Sequence, residues 1–577
     1  WVPCLYSVRV FAELVWFPFG PYSMDSKVGE RLESFDWRHW PILRFTRARR
    51  TFKKSVTDSI CEHVLSQTSQ ENLIAQIELT VHKEKIRIRR FSWSVDPRGD
   101  IAFWQGIERH LINMSGLPED QKGKRARVLL RKIVSRYVRE ILGHFRPRYY
   151  FGVVKFYAFL DRMLHILNWR NSRKGVWDGH KKHRHFSIFG KSNQVRNLSR
   201  RGTVIFLPTH ISNLDSVLVG LAAHAVGVPP LAYGAGLNLF NSKFLGHFMN
   251  RLGAYKIDRR RKNPLYLNTI QVYTKEVIKY GCHTVFFPGG TRSRSGDIEA
   301  RLKLGLLGTV ITAQRELLQA GSSQKIFIVP MVLNYPFVLE ASSSIRDYLR
   351  QKGKEHYYTG KRVKLNFFGA IKCILRGLTG QLGMIIRLGD PMDVLGNKVN
   401  EKGDSLDERG NLVDINNYFL SSQAKITADG QRESQYTRLL ERKLVSVLHA
   451  HNHVLPSHVV AFVAFELLQK KYKRANMYDI FRLDEGELFI EFKVFQESVD
   501  KVRKSLEALQ KENKIFCDGR FSASLDEFLL DGIKNCGSFH ARLPLKRNKK
   551  GDIVTEDMSC LFYYHNRLQG YELESYV

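Results

Sequence analysis

The sequence has no CxxC pair, no apolar run near the roughly 20 residues that span a bilayer, and few acidic residues for its size. Its seven cysteines (Cys4, Cys61, Cys282, Cys373, Cys517, Cys536 and Cys560) are odd in number and scattered. That excludes a zinc ribbon, argues against a disulfide framework and fits a reducing compartment. The longest apolar stretches, such as residues 459–468, are too short to span, so no transmembrane helix is expected. Residues 1–20 are apolar but broken by Arg9 and Glu13, and lack the basic start and small-residue cleavage site of a signal peptide. Acidic residues number 56 against 91 Lys and Arg in 577 residues, a net charge of +35. Such a field attracts polyanions: nucleic acid, acidic lipid headgroups, acyl carriers or phosphorylated substrates.

No zinc-finger spacing, RNP-like run or recognition helix is present to turn that charge into base readout, so no nucleic-acid partner is expected. The tract His180, Lys181, Lys182, His183, Arg184, His185 reads as a basic solvated linker rather than a metal site, and no metal is expected. What is present is an ordinary globular composition, 43% hydrophobic and 25% charged, which excludes a largely disordered chain.

Pattern divides the chain into four parts. Residues 1–199 form a basic, partly helical N-terminal region. Within it, residues 77–93 alternate in part like strands, whereas 127–142 place Leu130, Val134, Tyr137, Val138 and Ile141 at helical spacing. The other face of that helix carries Arg131, Lys132, Arg136 and Arg139, so it reads as a core-packed helix with a solvated face or as a basic membrane-surface helix. Residues 200–394 alternate short apolar runs (204–207, 284–287, 327–332) with longer helical stretches. This is the rhythm of an α/β domain with a mainly parallel mixed sheet flanked by helices. Residues 395–435, rich in Asp, Asn and Gly, read as a polar surface loop or linker, and 436–577 as a helical C-terminal region. No internal repeat is evident.

Three clusters can carry chemistry. After the first apolar run comes His210, Ile211, Ser212, Asn213, Leu214, Asp215; of twenty histidines, His210 alone has an Asp five residues on. A loop at the C-terminal end of such a strand is where open α/β sheets bind ligands, and an Asp there fixes one imidazole nitrogen so that the other acts as general base. The second cluster, Gly253 to Asp258 followed by Arg259, Arg260, Arg261 and Lys262, offers guanidinium groups to a phosphate or is a solvated turn. The third, Phe286, Phe287, Pro288, Gly289, Gly290, Thr291, Arg292, Ser293, Arg294, runs a strand into a Gly-rich turn with two arginines, and Lys303 lies within reach downstream.

In order and spacing these clusters, with Ile328, Val329 and Pro330, resemble the four motifs of the glycerol-phosphate acyltransferase family. That family includes the lysophosphatidate and dihydroxyacetone-phosphate acyltransferases. Residues 235–239 (AGLNL), 387–391 (RLGDP) and 561–568 (LFYYHNRL) resemble further family segments, so the likeness runs over about two thirds of the chain. It implies His210 as general base and Asp215 as its partner. It also implies Arg259, Arg292, Arg294 and Lys303 around the acceptor phosphate, Gly290 permitting its close approach, and Pro330 bordering an acyl channel. The implied reaction moves a fatty acyl group from acyl-CoA or an acyl carrier protein to the sn-1 hydroxyl of glycerol-3-phosphate. Dihydroxyacetone phosphate and lysophosphatidate are the alternative acceptors. No cofactor beyond the acyl donor is implied, and the setting is a peripheral membrane surface on the cytoplasmic face. Backbone N–H groups at the helix start after Ser212 would stabilise the oxyanion, with Ser212 suited to capping rather than to nucleophilic attack. One position departs from the pattern: Gly289 stands where the family usually has Glu, which motivates a non-catalytic lipid-binding homologue as the competing class.

Overall fold

In the computed structural model, residues 37–156, 158–159, 186–357, 383–472, 477–483, 486–538 and 540–577 are described. Residues 1–20, Cys4, the 180–185 tract and Cys373 lie outside these.

A seven-stranded sheet organises the middle of the chain: β1 (Phe186–Phe189), β2 (Gly202–Pro208), β3 (Ala232–Gly236), β4 (Ala254–Ile257), β5 (Thr284–Val285), β6 (Lys325–Asn334) and β7 (Met384–Leu388). Their order is β1-β7-β6-β2-β5-β3-β4, and every pairing is parallel except β6 with β7. The sheet thus takes its edge strand from upstream of residue 200. β2, buried through Val204, Ile205, Phe206 and Leu207, lies at the centre and is covered on both faces, as its unbroken apolar run requires. Gly253 enters β4 with φ +104°, a conformation that favours glycine, and a Cβ there would lie 2.5 Å from the Leu231 carbonyl oxygen.

The N-terminal residues are helical, including the stretch that alternates like strands. Helix Gln70–Arg90 starts at Ser69, whose hydroxyl accepts from the Asn72 N–H, and buries Leu73, Ile77, Thr80, Val81, Glu84 and Arg87 at three- and four-residue spacing. Ile86 and Ile88, which produce the apparent alternation, fall off that stripe: Ile86 is exposed and Ile88 only part-buried. Helix Glu119–Ile141 buries the five apolar residues its spacing picks out and leaves Arg131, Lys132 and Arg139 exposed, so it is packed on a core. These helices share one apolar cluster with Tyr255, Tyr266 and Tyr273 of the sheet domain. A buried polar network also ties them to it: Glu84 accepts from Arg87 at 2.7 Å and from the Tyr137 hydroxyl at 2.8 Å, while Arg261 reaches Glu140 at 2.7 Å.

The polar stretch after the sheet is an ordered meander rather than a loop. Strands Lys398–Val399, Ser405–Leu406 and Leu412–Val413 pair antiparallel in sequence order. A seven-residue repeat builds it: Asp393, Asn400 and Asp407 each accept, through Oδ1, the N–H groups two and four residues on, at 2.8–2.9 Å. Asx turns supply the hydrogen bonds that a polar segment otherwise takes from water. Beyond it, helices Gly430–Ala450, Pro456–Tyr472, Phe492–Lys511, Leu525–Asn535 and Met558–His565 make the C-terminal region helical, and buried Val460, Phe462, Phe465 and Phe562 join the core of the sheet. Among the described residues no helix is long and apolar enough to cross a membrane.

Candidate active site

Strands β2 and β5 run parallel side by side, so the loops that leave their C-terminal ends meet. The first carries His210. Asp215 opens helix Asp215–Val226, where free N–H groups and the helix dipole favour a carboxylate. Its Oδ2 accepts from His210 Nδ1 at 2.8 Å and from the backbone N–H groups of Ile211 and Ser212 at 2.6 and 2.9 Å, and its Oδ1 accepts from the Tyr335 hydroxyl. Asp215 is fully buried, whereas the His210 side chain keeps 17% of its surface. With Nδ1 donating, the lone pair sits on Nε2, which has no partner among the described residues. The imidazole stacks on Phe287 with ring centroids 4.0 Å apart.

Most of the N–H groups after the strand that the sequence offers to an oxyanion are already taken. Those of Ile211 and Ser212 donate to Asp215, that of Asn213 to Glu340 at 3.2 Å, that of Leu214 to the Ser212 hydroxyl at 3.2 Å and that of Asp215 to the Ser212 carbonyl at 3.3 Å. The Ser212 hydroxyl itself donates to Glu340 at 3.0 Å and so braces the loop; the helix that follows has Leu214 as its N-cap, with no side-chain cap bond. By contrast, the N–H groups of Thr291 and Arg292 in the Gly-rich turn donate to nothing among the described residues.

The structure also sorts the arginines. Arg260 pairs with Asp258 and Asp96 and lies 3.9 Å over Trp93, and Arg261 is buried against Glu140. Both belong to the interface with the N-terminal helices. Arg259 has no hydrogen bond or ion pair among the described residues. Loss of solvent and then the neighbouring Arg292 charge hold its guanidinium below the usual range. Arg292 has only Glu340, 3.9 Å away, and Arg294 in the same loop has no partner among the described residues. Arg259 and Arg292, whose like charges oppose each other with Glu340 3.9 Å from Arg292, form a ready site for an anion. Gly290, at φ +76°, turns the loop against Lys303: a Cβ there would lie 3.0 Å from Lys303 Cγ. Pro330 stands apart, buried inside β6 opposite Leu207, with its carbonyl accepting from the Gly389 N–H at 2.8 Å.

Several residues of this site carried no sequence signal. Tyr335 and Glu340 brace the His210 loop from 120 or more positions away, and Glu299 holds its backbone. The C-terminal segment packs behind the arginine loop. Asn566 donates to the Ser295 carbonyl at 3.0 Å, Arg567 donates to Asn334 at 2.6 and 2.9 Å and to the Leu333 carbonyl at 2.8 Å, and the Tyr564 hydroxyl accepts from the Val338 N–H at 2.9 Å.

Residues 191–334, which carry His210, Asp215 and all the arginines just sorted, match the Acyltransferase family model. This stretch is similar to the acyltransferase family. Curated relatives named glycerol-3-phosphate acyltransferase include one from Aeromonas hydrophila subsp. hydrophila, 27% identical over 251 residues, with 42% of this chain and 29% of the relative covered. Another, from Haemophilus ducreyi, is 34% identical over 166 residues, covering 28% of this chain and 20% of the relative. The chain spans less than a third of the length of these relatives. A solved structure, the 1-acyl-sn-glycerophosphate (LPA) acyltransferase PlsC from Thermotoga maritima, aligns over 64% of this chain and 95% of its own at 13% identity, with a TM-score of 0.23.

Proposed function

We propose that this protein moves a fatty acyl group from acyl-CoA or an acyl carrier protein to the sn-1 hydroxyl of glycerol-3-phosphate. The observation that carries the reading is a histidine with its Nδ1 locked by a buried carboxylate and its Nε2 without a partner among the described residues, in the same domain as Arg259 and Arg294, which have no counter-ion among those residues. The phosphate of the acceptor takes up those cations, and its hydroxyl is thereby presented to Nε2. His210 removes the hydroxyl proton as the oxygen attacks the thioester carbonyl carbon. The tetrahedral oxyanion collapses with cleavage of the C–S bond, and the thiolate takes the proton back from the imidazolium. Asp215 holds the tautomer throughout and stabilises the transient cation. The free N–H groups of Thr291 and Arg292 are the candidates for the oxyanion or for the acceptor phosphate.

The test is acyl transfer by the purified chain from labelled acyl thioesters to glycerol-3-phosphate, dihydroxyacetone phosphate and lysophosphatidate. The names of the curated relatives favour the first. Arg292→Ala is expected to raise KM for the phosphorylated acceptor by roughly tenfold or more, the range of a lost charge-assisted hydrogen bond, with a smaller change in kcat. An equal loss with an unphosphorylated acceptor would count against the phosphate role of Arg292.

A basic groove supports attachment to a membrane surface. It is lined by Arg50, Lys53, Lys54 and Thr57 of helix Arg49–Gln67 and by Val128, Arg131, Lys132 and Ser135 of helix Glu119–Ile141, with Val128 exposed. The cationic run at 44–54 and the basic helix face at 131–139 are separate in sequence, and the fold lays them side by side. Lysine and arginine near an anionic bilayer contribute about 1 kcal/mol each. Lys53→Glu with Lys132→Glu is expected to weaken sedimentation with phosphatidylglycerol vesicles roughly tenfold or more and to leave weak binding to phosphatidylcholine vesicles unchanged. Retention on the anionic vesicles would remove this groove from the membrane-facing surface.

A further inference from the structure

The segment 287–303 grips His210 from more than one side. Its Phe287 ring stacks on the imidazole, its Ser293 N–H donates to the His210 carbonyl at 2.6 Å, and its Glu299 Oε1 accepts from the His210 backbone N–H at 2.9 Å. Glu299 sits between two buried anchors, Ile298 and Leu302, and the loop around it is closed by Ser293 and Ser295 on Asp297 and by the Lys303 N–H on the Pro288 carbonyl at 2.7 Å. What admits the Glu299 side chain is the absence of one at residue 289: a Cβ on Gly289 would lie 3.0 Å from Glu299 Cγ and 3.2 Å from its Oε1. Gly289 itself has no positive φ to explain its identity. The remaining oxygen, Oε2, is sealed from solvent and has no hydrogen-bond partner among the described residues.

We propose that Glu299 is a positioning residue of this site, occupying the space over Gly289 and holding the His210 backbone so that Nε2 points at the acceptor. The proposal rests on the acyl-transfer reading. A glycine at 289 and a glutamate at 299 form one unit: adding a side chain at 289 or truncating the one at 299 disturbs His210. The charged groups acting on Glu299 are Arg567, from the C-terminal segment, and Asp297 on its own loop, while His210 meets it through its backbone N–H. Burial pushes the Glu299 carboxyl up to about 7. Its folded value thus exceeds the ordinary 4.5, so the folded chain holds a proton that the unfolded chain loses, and this site lowers stability as pH rises from about 4.5 to 7.

The experiment is a set of full-length variants read by kcat, by KM for the acceptor and by thermal melting. Glu299→Ala is expected to lower kcat by about a hundredfold, the cost of a small misplacement of a catalytic group, with KM for the acceptor little changed. Glu299→Gln, whose side-chain carbonyl accepts the same hydrogen bond, is expected to keep kcat within a few-fold of wild type and to melt higher than wild type at pH 8 but not at pH 4. Gly289→Ala is expected to lose kcat by displacing Glu299, and in the Glu299→Ala background the same change is expected to cost nothing further. Active wild type whose Glu299→Ala variant keeps its kcat, or additive losses at 289 and 299, would overturn the proposal. Folded wild-type protein that acylates none of the three acceptors would overturn the acyl-transfer reading and the proposal with it.

Discussion

His210→Ala is expected to lower acyl transfer by between about 10² and 10⁴-fold, the range that a general base contributes, without unfolding the protein. The expected stability of the variant follows from the hydrogen bonds that remain. Removing the imidazole still leaves buried Asp215 with the N–H groups of Ile211 and Ser212 and the Tyr335 hydroxyl. No buried charge is orphaned, and the His210 backbone keeps its contacts with Glu299 and Ser293. Asp215→Ala is a different experiment, because it would strand those same donors and release the loop. The measurement is initial rate with each acceptor, beside the circular-dichroism melting curve of both proteins. A folded His210→Ala variant that keeps more than about a tenth of wild-type rate would fall outside the range for a general base and end the mechanism.

Arg261→Ala is expected to destabilise the chain by about 3–5 kcal/mol, the usual cost of leaving a buried charge without its partner. The Arg261 side chain is 2% exposed and faces Glu84, Glu140 and Asp258, and its guanidinium lies 5.0 Å over the Tyr137 ring. Burial pushes the Glu140 carboxyl above its ordinary range, and the Arg261 charge is the largest effect opposing that rise. Without it, Glu140 must take up a proton or water must enter. Glu84 and Glu140 lie on helices Gln70–Arg90 and Glu119–Ile141, whereas Arg261 follows β4, so the loss falls on the join between the N-terminal helices and the sheet. Urea unfolding followed by the fluorescence of Trp104, buried within that layer, is the direct check. A midpoint unchanged from wild type would show that water or another cation already satisfies those carboxylates.

These two residues, His210 and Arg261, mark the limit of what motif spacing conveys. A His and an Asp five residues apart meet because a strand end and a helix start lie between them, and both are local in sequence. A run of three arginines offers no such guide: Arg260 and Arg261 are absorbed by Asp96, Asp258, Glu84 and Glu140, and only the ion pairs of the folded chain leave Arg259 unpaired among the described residues. The same holds for Gly289. As a letter in a motif it is a missing carboxylate; in the fold the space over it holds the carboxylate of Glu299.

Local pattern was sufficient for the alternation of buried strands and helices in residues 200–394, the His210 loop at a strand end, the Gly-rich arginine turn and the helical C-terminal region, because each depends on residues within a turn or two of one another. It failed at residues 77–93, where isoleucines off the buried stripe imitate a strand, and at 393–413, where a seven-residue Asx-turn repeat folds a polar stretch that composition alone reads as linker. Tertiary structure alone decided which cations are free, what fills the space over Gly289, and how Tyr335, Glu340 and Arg567 close the site. The braces from Tyr335, Glu340 and Arg567 join residues more than a hundred positions apart, and Glu299 reaches Gly289 across an irregular loop, so no periodicity in a single chain records them.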